Sequence, residues 1–318
     1  MKKLTCILIA LTLVFTLCAC GSSAKKSDTF TVGICQLTQH VALDSATKGF
    51  RDALTEALGD KVVFNEQNAS GDISTCATIC NGFVADKVDL ILANATPALQ
   101  AATAATDEIP ILGTAVTEYG VALDISGFSG TVGGNISGTS DLAPLDEQAN
   151  LIVKLFPDAK NVAILFCSAE ANSVYQVQKV TEFLEAKGIT VSAFSFADSN
   201  DVATVTESAC AEADVLYIPT DNTAASCAEA IGNIAEPAGV PIITGEENVC
   251  AICGVATLSI DYYELGRTTG AMAAKILTGE ANISEMPIEY FANPVFKFNP
   301  EFAEKFGVEI PGDFVAIS

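Results

Sequence analysis

Positive charge is scarce in this sequence: 16 lysines and arginines stand against 39 aspartates and glutamates, a formal net charge of −23 over 318 residues. So acidic a surface repels the phosphates of nucleic acids and of anionic lipid head groups. We therefore expect no nucleic-acid partner, and no membrane contact by the folded body of the protein.

Histidine and tryptophan are also nearly absent, with His40 the single histidine and no tryptophan at all. One histidine permits at most one Ser–His pair, and no Gly-x-Ser-x-Gly elbow marks a nucleophile. A Walker loop and a Gly-x-Gly-x-x-Gly turn after the first strand are missing as well. The sequence therefore predicts that the protein is not an enzyme and uses neither cofactor nor metal. A surface hydrolase remains the alternative from another class, and turnover assays would test it.

Long apolar runs are confined to the N-terminus, since none of membrane-spanning length follows Cys20. Two lysines precede an apolar segment at 4–17, and the small residue Ala19 stands directly before Cys20. This layout is typical of a secretory signal peptide, and it resembles a bacterial lipoprotein signal. We expect residues 1–19 to be the signal, Cys20 the lipidated residue and 20–28 a flexible tether. The protein would then lie outside the cytoplasm, anchored to the outer face of the cell membrane.

Cysteine is abundant, with 11 in the chain. Eight of them follow Cys20, and an even number in an exported protein raises the possibility of disulfides. Most of these cysteines lie within apolar strand or helix patterns, where cysteine behaves as a small buried hydrophobe. Cys76 and Cys80 at helical spacing, and Cys250 and Cys253 as a Cys-x-x-Cys pair, leave a zinc site as an alternative. The favoured interpretation is buried free thiols.

Strand and helix patterns alternate along the chain and restart once, at about residue 161. The alternation predicts an α/β fold with two Rossmann-like lobes, each built on a parallel sheet. A long helix, two strands and a short helix follow the second lobe, and we expect them to return to each lobe in turn as a multi-strand hinge. The expected boundaries are 29–138 with about 262–290 for lobe 1, and 139–261 with about 291–318 for lobe 2.

The residues that follow each strand are the candidate site, because ligands bind beyond the carboxyl ends of strands in open α/β sheets. Helix starts at Thr96, Ser173 and Thr223 are expected to cap with hydroxyls and to suit a carboxylate. Glu170 and Asp221 suit an ammonium group, so the cleft as a whole suits a zwitterion such as a free amino acid. An alternative is that Thr96 and Asp221 are ordinary helix caps and that His40 is structural.

Several of these segments resemble one known family, the substrate-binding lipoproteins of ABC importers, in the branch associated with tryptophan and other aromatic or branched amino acids. The matching segments span essentially the whole mature chain: Val32–Gln36 with His40, Gln67–Asp72, Asn94–Ala98, Gly134–Gly138, Glu170–Ser173, Pro219–Thr223 and Tyr262–Arg267.

The resemblance implies a type I periplasmic-binding-protein fold that closes on a small ligand and delivers it to a membrane permease with its ATPase. Carried over position by position, it gives a cleft lined by Gln36, His40, Thr96, Glu170, Asn172, Ser173, Asp221, Asn222 and Thr223, and Thr117 completes the candidate set. One segment departs from the family. Thr117 is followed by Glu118 and Tyr119, where the family commonly has Asp-Pro, and Tyr119 could stack on a ligand.

Other ligands and roles stay open at this point. A nucleoside or sugar receptor has the same fold, although the lack of tryptophan and the scarcity of arginine disfavour a sugar. A receptor that signals to a kinase or chemoreceptor is a further alternative to transport. We expect a monomer.

Overall fold

The computed structural model describes residues 29–317. The expected signal peptide, the lipidation site at Cys20 and the whole tether at 20–28 lie outside the described residues. Within 29–317, no helix is both long and apolar enough to cross a membrane.

The first lobe is built on a six-stranded sheet in which every neighbouring pair is parallel. Its strands stand in the order β11-β5-β4-β3-β1-β2. They are β1 (Phe30–Gln36), β2 (Val62–Asn68), β3 (Leu90–Asn94), β4 (Ile111–Val116), β5 (Ile136–Ser140) and β11 (Glu289–Tyr290). Five helices cover it: α1 (Val41–Leu58), α2 (Ile73–Asp86), α3 (Thr96–Ala105), α4 (Tyr119–Ala122) and α11 (Tyr262–Leu277).

The second lobe is built on a seven-stranded sheet in the order β13-β12-β10-β9-β8-β6-β7, and only the β10–β12 pair is antiparallel among the described strands. The strands are β6 (Asn161–Cys167), β7 (Thr190–Phe196), β8 (Val215–Ile218), β9 (Ile242–Thr244), β10 (Ala256–Ser259), β12 (Val295–Phe298) and β13 (Val315–Ala316). Its helices are α5 (Leu145–Leu155), α6 (Ala171–Glu185), α7 (Val202–Cys210), α8 (Asn222–Ser226), α9 (Ala228–Ala238), α10 (Glu247–Cys253) and α12 (Pro300–Lys305).

The chain passes between the two sheets three times, at 141–144, 260–261 and 291–294. Each lobe therefore contains segments from distant parts of the sequence. Central strands such as β3 and β4 are buried along their whole length, as expected for parallel strands covered by helices on both faces.

The predicted α/β class with two mostly parallel sheets is confirmed, while several elements were missed. Strands β5, β10 and β13 and helices α4, α5 and α10 are not predicted by the sequence patterns. The pattern at about 222–238 predicts one helix, whereas the structure has two, separated at Cys227. The central strands β5, Ile-Ser-Gly-Thr-Ser, and β10, Ala-Thr-Leu-Ser, lack the apolar runs by which the other central strands are recognised.

The eight cysteines of residues 29–317 are all free thiols, and six of them are buried. The zinc alternative is wrong, because Cys76 and Cys80 pack in the core of the first lobe whereas Cys253 packs in a core of the second.

Candidate functional site

A crevice of about 460 Å³ lies between the two lobes. Its walls come from the loops after strands of both sheets, where parallel sheets offer ligand sites. The first lobe contributes Leu37, Thr38, Ser70, Gly71, Asp72, Ile73 and Pro97, and the second contributes Cys167, Ala169, Glu170, Ala197, Asp198, Ser199, Thr223 and Ser226. No lysine or arginine is among these lining residues, so charge in the walls is negative.

The lobes touch beside the crevice through His40 and Asn222. His40 precedes α1 in the first lobe, and its Nε2 lies 3.2 Å from Oδ1 of Asn222 in the second lobe. The other ring nitrogen, Nδ1, is buried and has no hydrogen-bond partner. The two lobes are therefore close together in this structure.

Glu170 directs its carboxylate at the start of a neighbouring helix, α8. Its Oε1 accepts hydrogen bonds from the backbone N–H and the hydroxyl of Thr223, at 2.9 and 2.8 Å. Its Oε2 accepts from the backbone N–H and the side-chain amide of Asn222, at 3.2 and 2.6 Å. Both oxygens of this buried carboxylate are thus occupied within the second lobe.

Asp221 is the N-cap of α8 and is equally occupied. Its Oδ1 accepts from the backbone N–H of Ala224 at 2.8 Å, and its Oδ2 accepts from that of Cys167 at 2.6 Å. Burial, together with the nearby charge of Glu170, raises the pKa of Asp221 to about 7. Sequence reasoning assigned these two carboxylates to a ligand's ammonium group, whereas the structure uses them to hold α8.

Asn172 and Ser173 lie in the first turn of α6, buried beside Glu170. The amide nitrogen of Asn172 donates to the carbonyl of Thr220 at 3.1 Å, but its Oδ1 is buried with no partner. The expectation of hydroxyl caps is wrong, because the N-caps are Ala95, Glu170 and Asp221. Thr96, Ser173 and Thr223 lie inside the first turns instead.

The candidate residues of the first lobe differ in whether their polar side-chain atoms have hydrogen-bond partners. Thr96, at the start of α3, has a buried hydroxyl with no partner. Gln36 is fully engaged within its own lobe, since its Nε2 donates to Asp44 and its Oε1 accepts from Thr47. Thr117 is buried just after β4. Tyr119 cannot stack on a ligand, because it is buried in the core of the first lobe and donates to the carbonyl of Thr139.

Asp141 is a site residue that sequence reasoning missed. It directly follows β5, at the first passage between the lobes, and is 4 % exposed. Its Oδ2 accepts from the hydroxyl of Tyr262 at 3.0 Å, while its Oδ1 is buried with no partner. Burial raises the pKa of Asp141 to about 6, with a smaller contribution from Glu246 and with opposing hydrogen bonds to Thr117 and Tyr262. Recognition of β5 as a strand would have found it.

Comparison with known proteins places this arrangement among solute receptors. A family model described as ABC transporter substrate binding protein matches residues 31–317. A protein named tyrosine-binding protein, from Clostridioides difficile strain R20291, is 36 % identical over 281 residues, which cover 84 % of this chain and 80 % of that protein.

Two solved structures extend the comparison. An ABC domain from Streptococcus pneumonia in complex with L-Trp is 31 % identical, with a TM-score of 0.85 over 89 % of this chain and 96 % of that one. The ligand-free, open structure of a substrate binding protein with adhesive properties, from Clostridium difficile, is 34 % identical, with a TM-score of 0.69 over 91 % of this chain and 99 % of that one.

Proposed function

Because the chain belongs to the ABC transporter substrate-binding proteins, we propose that it captures a free amino acid, and preferentially an aromatic one, between its two lobes. Its fold is that of the type I periplasmic binding proteins. Solute-binding proteins are a non-enzymatic class, in keeping with the missing nucleophile motifs.

One observation carries the proposal: buried polar atoms without partners belong to residues that follow strands at the carboxyl edges of both sheets. They are Thr96 Oγ1 and Asp141 Oδ1 from the first lobe and its hinge, Asn172 Oδ1 from the second, and His40 Nδ1. A buried polar atom without a partner costs free energy, so such a group of atoms at one cleft is expected where a polar ligand supplies the partners. Three oxygens and one nitrogen suit a small molecule with several donors.

The charges around the cleft favour a zwitterion. Asp72, Glu170 and Asp198 line the crevice and no lysine or arginine does, so a ligand's ammonium group is attracted. A ligand carboxylate has no cationic side chain to pair with there. It can instead accept hydrogen bonds at the start of the ten-residue helix α3, where Thr96 and the first backbone N–H groups lie.

The preference for an aromatic side chain rests on the relatives, one named for tyrosine and one solved with L-Trp. The crevice agrees with it, because Leu37, Ile73, Pro97 and Ala197 form apolar walls and the volume of about 460 Å³ is in the range of small-molecule sites. No aromatic side chain lines the crevice to stack on a sugar ring, so a sugar receives less support than an amino acid.

The remaining parts of the proposal concern location and partners. A lipid on Cys20 would hold the protein at the outer face of the membrane, and a permease with its ATPase would receive the ligand from the closed form.

The structure superposes better on the L-Trp complex than on the ligand-free open structure, although the sequence identities are similar. This difference supports the closed form as the conformation described.

A thermal-shift screen of the mature protein against the twenty amino acids, nucleosides and common sugars tests the proposal. At 100 times its Kd a ligand stabilises its receptor by about 2.7 kcal/mol, which raises the midpoint of unfolding measurably. We expect L-tyrosine or L-tryptophan to give the largest shift, followed by calorimetric titration for the Kd. A response to a sugar or nucleoside with silence across all amino acids would overturn the proposal.

A further inference from the structure

Four carboxylates are buried just beyond the carboxyl ends of strands: Asp141 after β5, Glu170 after β6, Asp221 after β8 and Glu246 after β9. Three of them hold helix starts within the second lobe. Glu170 and Asp221 give all their oxygens to donors around α8. Glu246 is the N-cap of α10, where its Oε1 accepts from the backbone N–H of Val249 and its Oε2 from that of Asn248. Every oxygen of these three carboxylates already accepts at least one hydrogen bond that holds a helix start or a strand end.

Asp141 is different, because it caps no helix and its Oδ1 has no hydrogen-bond partner, although the hydroxyl of Thr117 lies near the carboxylate and lowers its pKa. Its Oδ1 has no partner, and none of the ion pairs among residues 29–317 includes it. It follows β5 at the carboxyl edge of the first sheet, and Tyr262, at the second passage between the lobes, holds its other oxygen. The acidic groups that face it, Glu246 and the two phenols of Tyr119 and Tyr262, offer it no positive charge.

We infer that Asp141 binds the ammonium group of the amino acid and thereby selects ligands that carry one. The inference rests on the proposed function and adds the residue that recognises the ligand's positive end. An ammonium group brings three N–H donors, and one of them satisfies Oδ1. In a desolvated cleft such a charge-assisted hydrogen bond is stronger than a neutral one. A ligand without the amino group would leave the carboxylate buried and unpaired, which is the more costly state.

The test compares Asp141→Asn with the wild type on two pairs of probes: L-tyrosine with 3-(4-hydroxyphenyl)propionate, and L-tryptophan with indole-3-propionate. The members of each pair differ only in the amino group. Asparagine keeps the shape of the side chain and can still accept from Tyr262, but it removes the charge. Affinity for the amino acids should fall about 10- to 100-fold, while affinity for the propionates stays the same or rises. The preference of the protein for the amino compound should thus collapse in the variant.

Asp86→Asn is the matched control, because Asp86 is exposed at the end of α2 and lies outside the crevice lining. It removes the same charge without touching the free oxygen, so affinities should remain close to those of the wild type. Thermal unfolding of Asp141→Asn without ligand should be as cooperative as that of the wild type, with a midpoint that is equal or higher, since a buried charge has been removed.

The outcomes separate the two proposals. Equal losses for both members of a pair, or unchanged binding of the amino acids by Asp141→Asn, would overturn the role of Asp141 and leave amino-acid capture standing. A wild-type protein that binds no amino acid would overturn the capture itself, and the role of Asp141 with it.

Discussion

At the scale of single residues, the hydrogen-bond partners of a buried carboxylate determine what it can do. Glu170 accepts four hydrogen bonds of 3.2 Å or shorter from Asn222 and Thr223, so its charge is already compensated inside the protein. Asp141 accepts from Tyr262 and retains one bare oxygen. The two residues are similarly buried, yet of the two only Asp141 has an oxygen without a hydrogen-bond partner.

The raised pKa of Asp141 predicts that ligand affinity depends on pH. Its pKa is about 6 in the free protein, and the ammonium group needs the charged carboxylate. Above about pH 7 the carboxylate is charged, whereas below 6 binding must first displace a proton. The Kd for L-tyrosine should therefore rise as the pH falls through 6, approaching tenfold per pH unit. Calorimetric titration from about pH 8 to pH 5 measures this dependence.

The control for this prediction is the same titration with Asp141→Asn. Asp221, whose pKa is raised to about 7, titrates in both proteins and cancels from the comparison. The ratio of the variant's Kd to that of the wild type should change with pH where Asp141 titrates. It should be constant at higher pH, where Asp141 is fully charged. An identical pH profile in both proteins would contradict the assignment.

The sequence reveals a candidate site residue only where the strand before that residue can be recognised. Glu170, Asn172, Asp221 and Asn222 follow β6 and β8, whose apolar patterns were recognised, and the structure brings these residues together. Asp141 follows β5, a strand rich in hydroxyls and glycine. Those buried hydroxyls are satisfied by groups distant in sequence, as Thr139 is by Thr269 at 2.8 Å. A local sequence pattern cannot predict hydrogen-bond partners that lie so far away in the sequence.

At the scale of secondary-structure elements, the packing of α1 against α11 determines the position of the hinge. Gly49 and Gly266 lie where the two helices approach most closely, and a Cβ on Gly266 would overlap the backbone carbonyl of Ala46. Because α11 begins at Tyr262, the hydrogen-bond donor to Asp141, the same packing holds the site. Apolar periodicity predicts both helices. It does not predict that glycines allow the two helices to pack so closely.

Gly266→Ala should destabilise the first lobe and weaken binding together. The added methyl group forces the helices apart, at a cost of about 1–3 kcal/mol, and moves Tyr262 away from Asp141. Denaturant unfolding measures the loss, and titration with L-tyrosine measures the weaker binding. Gly82→Ala is the control, because Gly82 lies in the interior of α2 with no atom near an added Cβ. That change should stabilise the protein by about 0.5–1 kcal/mol. Equal effects of the two substitutions would contradict the role of close helix packing.

At the scale of the whole molecule, the proposed capture requires two lobes, joined by three chain passages, to close as units on the ligand. The contact between His40 and Asn222 joins the lobes at 3.2 Å, while the free ring nitrogen of His40 is buried near the cleft. Apparent affinity in such a receptor depends on the fraction of molecules that can reach the closed form. A contact made only in that form adds to the affinity for every ligand that needs closure.

His40→Ala should therefore weaken binding by a similar factor for all ligands, about 2- to 10-fold for the loss of one hydrogen bond. Calorimetric titration with L-tyrosine, L-tryptophan and their propionate analogues measures the factor, and small-angle scattering at saturating ligand should still show compaction. Gln39→Ala is the matched control, since Gln39 is exposed and adjacent. A loss confined to one ligand would mean that His40 contacts that ligand directly, because a contact between the lobes cannot distinguish what they enclose.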